Sequence, residues 1–197
     1  MDAGDIPKSP LSFFDQHDLE VVEGRQMAVK IVVDLCARFL TLADHVVDVL
    51  AGSGVVGIKL ANRGFHNVHA HEVCPQLLEL LRQRHCYRSY ILGTLKPENC
   101  PVKFNAAVLY CSFAPGHLTA ANLDDVVKMV IKGGFVIMCI RELWLQGPLL
   151  TPYNWDCDLS EKMIELERNQ VWELCHDERR HEFCGGCAAL FYVYKIL

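Results

Sequence analysis

Gly52-Ser53-Gly54-Val55-Val56-Gly57 sets three glycines in a G-x-G-x-x-G spacing directly after the β-branched run Val46-Val47-Asp48-Val49-Leu50. Glycines at the first two positions reach backbone angles closed to other residues and let the main chain approach a ligand closely. A helix opening near Val55 would aim its free N–H groups at oxygens on that ligand. Eighteen residues beyond Gly54, at the end of the next strand-like run, stands Glu72, whose carboxylate could accept hydrogen bonds from the vicinal hydroxyls of a ribose. Alone, the glycines make a tight turn and Glu72 a strand-end charge; together they point to a nucleoside-bearing ligand.

Other chemistry-bearing residues have simpler explanations. Cys175, His176, His181, Cys184 and Cys187 are zinc-ligand types, but they contain a single C-x-x-C knuckle, and Gly185-Gly186 reads as a hairpin turn. No metal is expected. His69 and His71 share a strand face by period-two alternation, and two ligands seldom hold a metal. Trp144, Trp155 and Trp172 read as packing residues, with Trp144 and Tyr153 placed near the pocket by following a strand. His117 and Tyr110, after the fourth strand, are the candidate proton acceptors.

These residues need elements to position them, and the chain alternates between strand and helix patterns. Apolar residues at helical spacing from about Arg25 to Leu40 predict an amphipathic helix before the first strand. After the glycine turn come a helix over Val55 to Asn62, a strand at Val68 to Val73 and a helix opened by Pro75. Strands are expected at Tyr90 to Leu92, Ala106 to Cys111 and Phe135 to Ile140, with a helix near Leu123 to Ile131. A helix over Leu159 to Gln170 precedes two more strands, Trp172 to His176 and Ala188 to Leu197, separated by a turn-rich stretch and closing as a hairpin. Such alternation predicts parallel strands joined by crossover helices on both faces.

The 197 residues suit one domain spanning 1–197, with about 1–12 expected to be flexible. A hydrophobic share of 51% against 22% charged places the chain among globular proteins. A net charge of −5, with scattered basic residues, disfavours nucleic acid as a partner. The apolar runs fall short of the roughly 20 residues that span a bilayer, so no membrane partner is expected. The acidic start Met1-Asp2-Ala3-Gly4-Asp5 has no apolar signal core, so the ten cysteines are read as thiols and the cytoplasm as the compartment.

Asp48-Val49-Leu50-Ala51-Gly52-Ser53-Gly54 resembles the D-x-G-x-G-x-G motif of class I S-adenosylmethionine-dependent methyltransferases, with Leu50 in place of its first glycine. His71-Glu72-Val73-Cys74-Pro75-Gln76-Leu77-Leu78 resembles that family's acid-loop-helix segment, and Ile131 to Val136 its glycine turn into the fifth strand. The resemblance covers about residues 13 to 197. It implies a Rossmann-like three-layer α/β sandwich, with a mostly parallel seven-stranded sheet and an antiparallel last strand. It also implies S-adenosylmethionine as cofactor and a small-molecule or protein methyl acceptor.

Carried over by position, Asp48 organises the glycine loop and meets the methionine amino group. Ala51, Gly52, Ser53 and Gly54 pass beneath the cofactor, Glu72 binds the ribose, and Val73 touches adenine. Thr94 and Leu95 stand where the family usually has an acid facing the adenine amino group, and Tyr110 follows strand four on the cofactor side. Phe14-Asp15 replaces a frequent tyrosine-aspartate lid pair, Asn105 a frequent aspartate, and Lys132 a frequent proline. These departures keep open a second reading, a cofactor-binding module with reduced catalysis. A nicotinamide-dependent oxidoreductase fits the glycine spacing too, but Asp48 inside the first strand, the helix before it and the closing hairpin count against it.

Overall fold

A computed structural model describes residues 23–145, 158–184 and 187–197. The expected flexible start, Phe14-Asp15, Tyr153, Trp155 and the Gly185-Gly186 turn lie outside them. Helix α1 (Glu23–Phe39) precedes β1 (Val46–Val49), α2 (Val55–Asn62), β2 (Val68–Glu72), α3 (Pro75–Gln83) and β3 (Ser89–Leu92). Then follow β4 (Phe104–Tyr110), α4 (Asn122–Met129), β5 (Val130–Arg141), α5 (Leu159–Arg168), β6 (Trp172–Cys184) and β7 (Cys187–Ile196).

The strands form one seven-stranded sheet in the order β3-β2-β1-β4-β5-β7-β6. Neighbours from β3 through β5 are parallel, while β7 runs antiparallel to both β5 and β6. The expected architecture is therefore present, with the last strand inserted between β5 and β6. The order reverses between β1 and β4, and in open α/β sheets that switch point opens a crevice at the carboxyl edge.

Alternation along the central strands divides the core into two layers. Val47, Val49, Leu109 and Met138 face α4 and α5. Val46, Val108 and Ile137 lie in the layer that contains buried residues of α1, α2 and α3. Central strands buried on both faces read as continuous apolar runs, which is why β1 and β4 were legible.

Several boundaries differ from those expected, most of all in β5 and β6. Strand β5 starts at Val130, five residues before the expected Phe135, because Gly133, at φ 80°, and Gly134 form an irregularity inside the strand. A side chain at Gly134 would put its Cβ 2.5 Å from the Asn105 carbonyl oxygen. Helix α4 correspondingly stops at Met129. Strand β6 continues to Cys184 instead of ending near His176. Residues 177–180 pair with β7, up to a register shift before Cys184, and an outermost strand tolerates charge on its solvated side.

Candidate functional site

The carboxyl ends of β1 and β2 are tied together by three successive main-chain donors. Leu50 N–H approaches His71 Nδ1 at 3.5 Å, Ala51 N–H donates to the His71 carbonyl at 3.0 Å, and Gly52 N–H donates to Glu72 Oε2 at 3.1 Å. The other Glu72 oxygen, Oε1, accepts from Val73 N–H at 2.8 Å and Cys74 N–H at 3.1 Å. Glu72 is thus 3% exposed and charge-satisfied by the backbone, with capacity for one more hydrogen bond on Oε2. The sequence-predicted turn and acid are direct neighbours.

The turn itself closes through Gly54 N–H to the Ala51 carbonyl, 2.9 Å, with Gly52 at φ 56° and Gly54 at φ 82°. Gly54 then caps α2. Leu50, at the position of the absent family glycine, also has positive φ, 55°. The backbone path of the motif is therefore retained by a residue for which it is strained, at roughly 1–2 kcal/mol.

Asp48 lies beneath this loop, 1% exposed, with Oδ2 accepting from the Tyr87 hydroxyl at 2.7 Å. Burial raises its carboxyl from the ordinary 3.8 to about 7, against the stabilising hydrogen bonds from Tyr87 and the Gly57 main chain. Gly57 is required by the same contact, because a Cβ there would sit 2.1 Å from Tyr87 Cζ. Asp48 and Tyr87 thus hold the start of α2 from the α1–α3 side. Tyr87 had no assigned role in the sequence reading, since 39 residues separate it from Asp48.

His71 is buried and bridges two loops: Nε2 meets the Gly93 carbonyl at 2.9 Å while Nδ1 faces Leu50 N–H. Those partners define a neutral imidazole with its proton on Nε2, and burial correspondingly lowers its pKa. His69 goes elsewhere. Its Nε2 pairs with His45 Nδ1 at 2.9 Å and its Nδ1 with Ser89 Oγ at 2.7 Å, and burial holds it down to about 4. The two histidines serve separate networks, and no group of three or more His, Cys, Asp or Glu among the described residues could hold a metal.

Beside Glu72, Val73 is 52% exposed and Leu92, at the end of β3, is 49% exposed. They present apolar surface at the carboxyl edge. Thr94 is exposed, whereas the Leu95 side chain is buried in the core. Ala51 is buried and Ser53 half-buried in the loop. On the far side, Ser112 Oγ donates to the Val49 carbonyl at 2.8 Å, and the Tyr110 hydroxyl donates to the Arg25 carbonyl at 3.4 Å. His117 is exposed, with Nδ1 3.2 Å from the Pro115 carbonyl.

No family model matches this sequence. No curated protein matches it either. Solved structures do. N-methyltransferase NodS from Bradyrhizobium japonicum, in complex with S-adenosyl-L-homocysteine, superposes with a TM-score of 0.70 at 12% identity, covering 91% of this chain and 90% of its own. Magnesium protoporphyrin IX methyltransferase from Synechocystis, with bound S-adenosylmethionine, gives 0.67 at 13% identity over 100% of this chain and 87% of its own. An S-adenosylmethionine-dependent methyltransferase from Methanosarcina mazei gives 0.61 at 12% identity, covering 83% and 97%. The chain therefore has the Rossmann-like fold that these methyltransferases share.

Proposed function

We propose that this protein binds S-adenosylmethionine across the carboxyl edge of β1, β2 and β4 and transfers its methyl group to a small-molecule or protein acceptor. The observation that carries this reading is the contact between Gly52 and Glu72 across the ends of β1 and β2, beside the β1–β4 switch point. It brings a close-approach backbone and a carboxylate with one remaining acceptor site to the same crevice. Val73 and Leu92 add exposed apolar surface suited to an adenine face. The fold neighbours that carry S-adenosylmethionine or its demethylated product support the same ligand. So does the stretch from Arg63 to Tyr87 with Leu92-Gly93-Thr94-Leu95, which resembles the methyltransferase-like protein of the Williams-Beuren syndrome chromosome region.

The cofactor supplies an electrophilic methyl group on a sulfonium, so the protein's task is alignment in a water-poor site. Glu72 orients the ribose through Oε2 while keeping the glycine loop in place. Ala51 to Gly54 line the approach, and Asp48 with Tyr87 keeps that loop from shifting. Tyr110, the last residue of β4, and His117, in the loop after it, are the candidates to take a proton where the acceptor must lose one. The cytoplasm is the proposed compartment for this reduced, thiol-bearing chain.

A second reading, cofactor binding without turnover, is favoured by one observation: neutral, exposed Thr94 stands where an acid would hold the adenine amino group. Calorimetry with S-adenosylmethionine, S-adenosylhomocysteine and NAD, followed by labelled-methyl transfer to fractionated cell extract, separates the readings. Binding of both adenosyl ligands with label transfer is expected. Binding without transfer selects the module, and tight binding of NAD alone overturns both.

A further inference from the structure

Arg141 ends β5 at the carboxyl edge, two strands from β1 in the sheet order. Two interstrand spacings across and three residues further along its strand than Met138, which is level with Val49, its backbone lies roughly 14 Å from the end of β1. Its Nε is buried and has no hydrogen-bond partner among the described residues. The guanidinium carbon lies 5.8 Å from the centroid of the Trp144 ring. A buried guanidinium donor left unpaired costs free energy that a bound acceptor recovers.

The neighbouring carboxylates are already committed. Glu142 accepts a two-pronged ion pair from Arg179, 2.7 Å on each side, and Glu178 is held by Arg180. Among the described residues Arg179 and Arg180 are each in an ion pair with one of these carboxylates, and Arg141 is in none. Register adds a second group: Arg141 pairs with Ala189, and Ala189 with Arg180. Directly opposed residues share a face, so both arginines flank a position with only a methyl side chain. Arg180 remains largely exposed.

Resting on the methyltransferase reading, we infer that the methyl acceptor carries an oxyanion, carboxylate or phosphate, that Arg141 binds beside the transfer site, with Arg180 as a second contact. Guanidinium groups suit both anions because their planar donors match two oxygens at once. The anchored end of the acceptor sits over β5 and the reacting atom over β4, toward the switch point.

The test titrates inorganic phosphate and, separately, sodium succinate into the whole protein, with and without saturating S-adenosylhomocysteine, by calorimetry. At least one anion is expected to bind, at least tenfold more weakly to Arg141→Gln and by a smaller factor to Arg141→Lys and Arg180→Gln. The anion that binds more tightly identifies the group. Arg141→Gln should keep its S-adenosylhomocysteine affinity within twofold, which shows that the fold and cofactor edge are intact. Failure of both anions to bind, or equal binding by wild type, Arg141→Gln and Arg141→Lys, overturns the inference. Failure of S-adenosylhomocysteine to bind wild type instead overturns the methyltransferase reading, whatever the anion titration shows.

Discussion

Glu72 Oε2 accepts the Gly52 main-chain N–H at 3.1 Å, so one carboxylate closes the glycine loop onto the end of β2. Because Oε1 is also satisfied by Val73 and Cys74, the side chain is preorganised before any ligand binds.

Replacing Glu72 should therefore lower stability and affinity together. Glu72→Gln opposes an amide N–H to backbone N–H groups, and Glu72→Ala leaves three donors without their acceptor. A loss of about 1–3 kcal/mol in folding free energy is expected for Glu72→Ala. Affinity for S-adenosylhomocysteine should fall at least tenfold for both, measured by calorimetry on protein shown to be folded by its melting transition. Unchanged affinity would remove Glu72 from the ligand site.

Gly57 and Tyr87 should be energetically coupled. Gly57→Ala drives a methyl into the tyrosine ring, where Cζ and Cε1 would lie 2.1 and 2.4 Å away, and overpacking of this kind costs about 1–3 kcal/mol. In a Tyr87→Ala background the same change should cost much less, because the obstructing ring is gone. Urea unfolding of the four proteins gives the coupling directly, and additive effects would contradict it.

Leu50 should invert the usual order of apolar substitutions. Its φ of 55° lies in the left-handed region, where a β-branched residue is worse than leucine and glycine is unstrained. Leu50→Val should destabilise more than Leu50→Gly despite retaining more apolar surface. A ranking that follows side-chain size would show that packing against the neighbouring core outweighs the backbone strain.

Stability should depend on pH through two opposing groups. Asp48 ionises near 3.8 when unfolded and near 7 when folded, so the folded state holds the extra proton between those values. Its favourable contribution is complete below about 4 and lost as pH rises to about 7. His69 moves from 6.5 to about 4, so its contribution is complete above 6.5 and lost as pH falls toward 4. Asp48→Asn should make stability fall more steeply as pH decreases from 7 to 4, and His69→Gln should make it fall less. Denaturation midpoints at pH 4, 5.5 and 7 check both slopes.

The sequence by itself determined the layered α/β architecture, because runs such as Val46–Val49 and helical periodicities such as that of α1 are local patterns whose burial follows from their composition. It also paired Gly52 with Glu72, since a strand, a turn and a helix between them leave few arrangements. Only the tertiary structure decided that β6 extends to Cys184, that Tyr87 supports Asp48, and that His69 and His71 belong to different networks. It alone left Arg141 without a partner carboxylate among the described residues. Each of those depends on contacts between residues far apart in the chain, where spacing carries no information and register, burial and the geometry of neighbouring strands choose the partner.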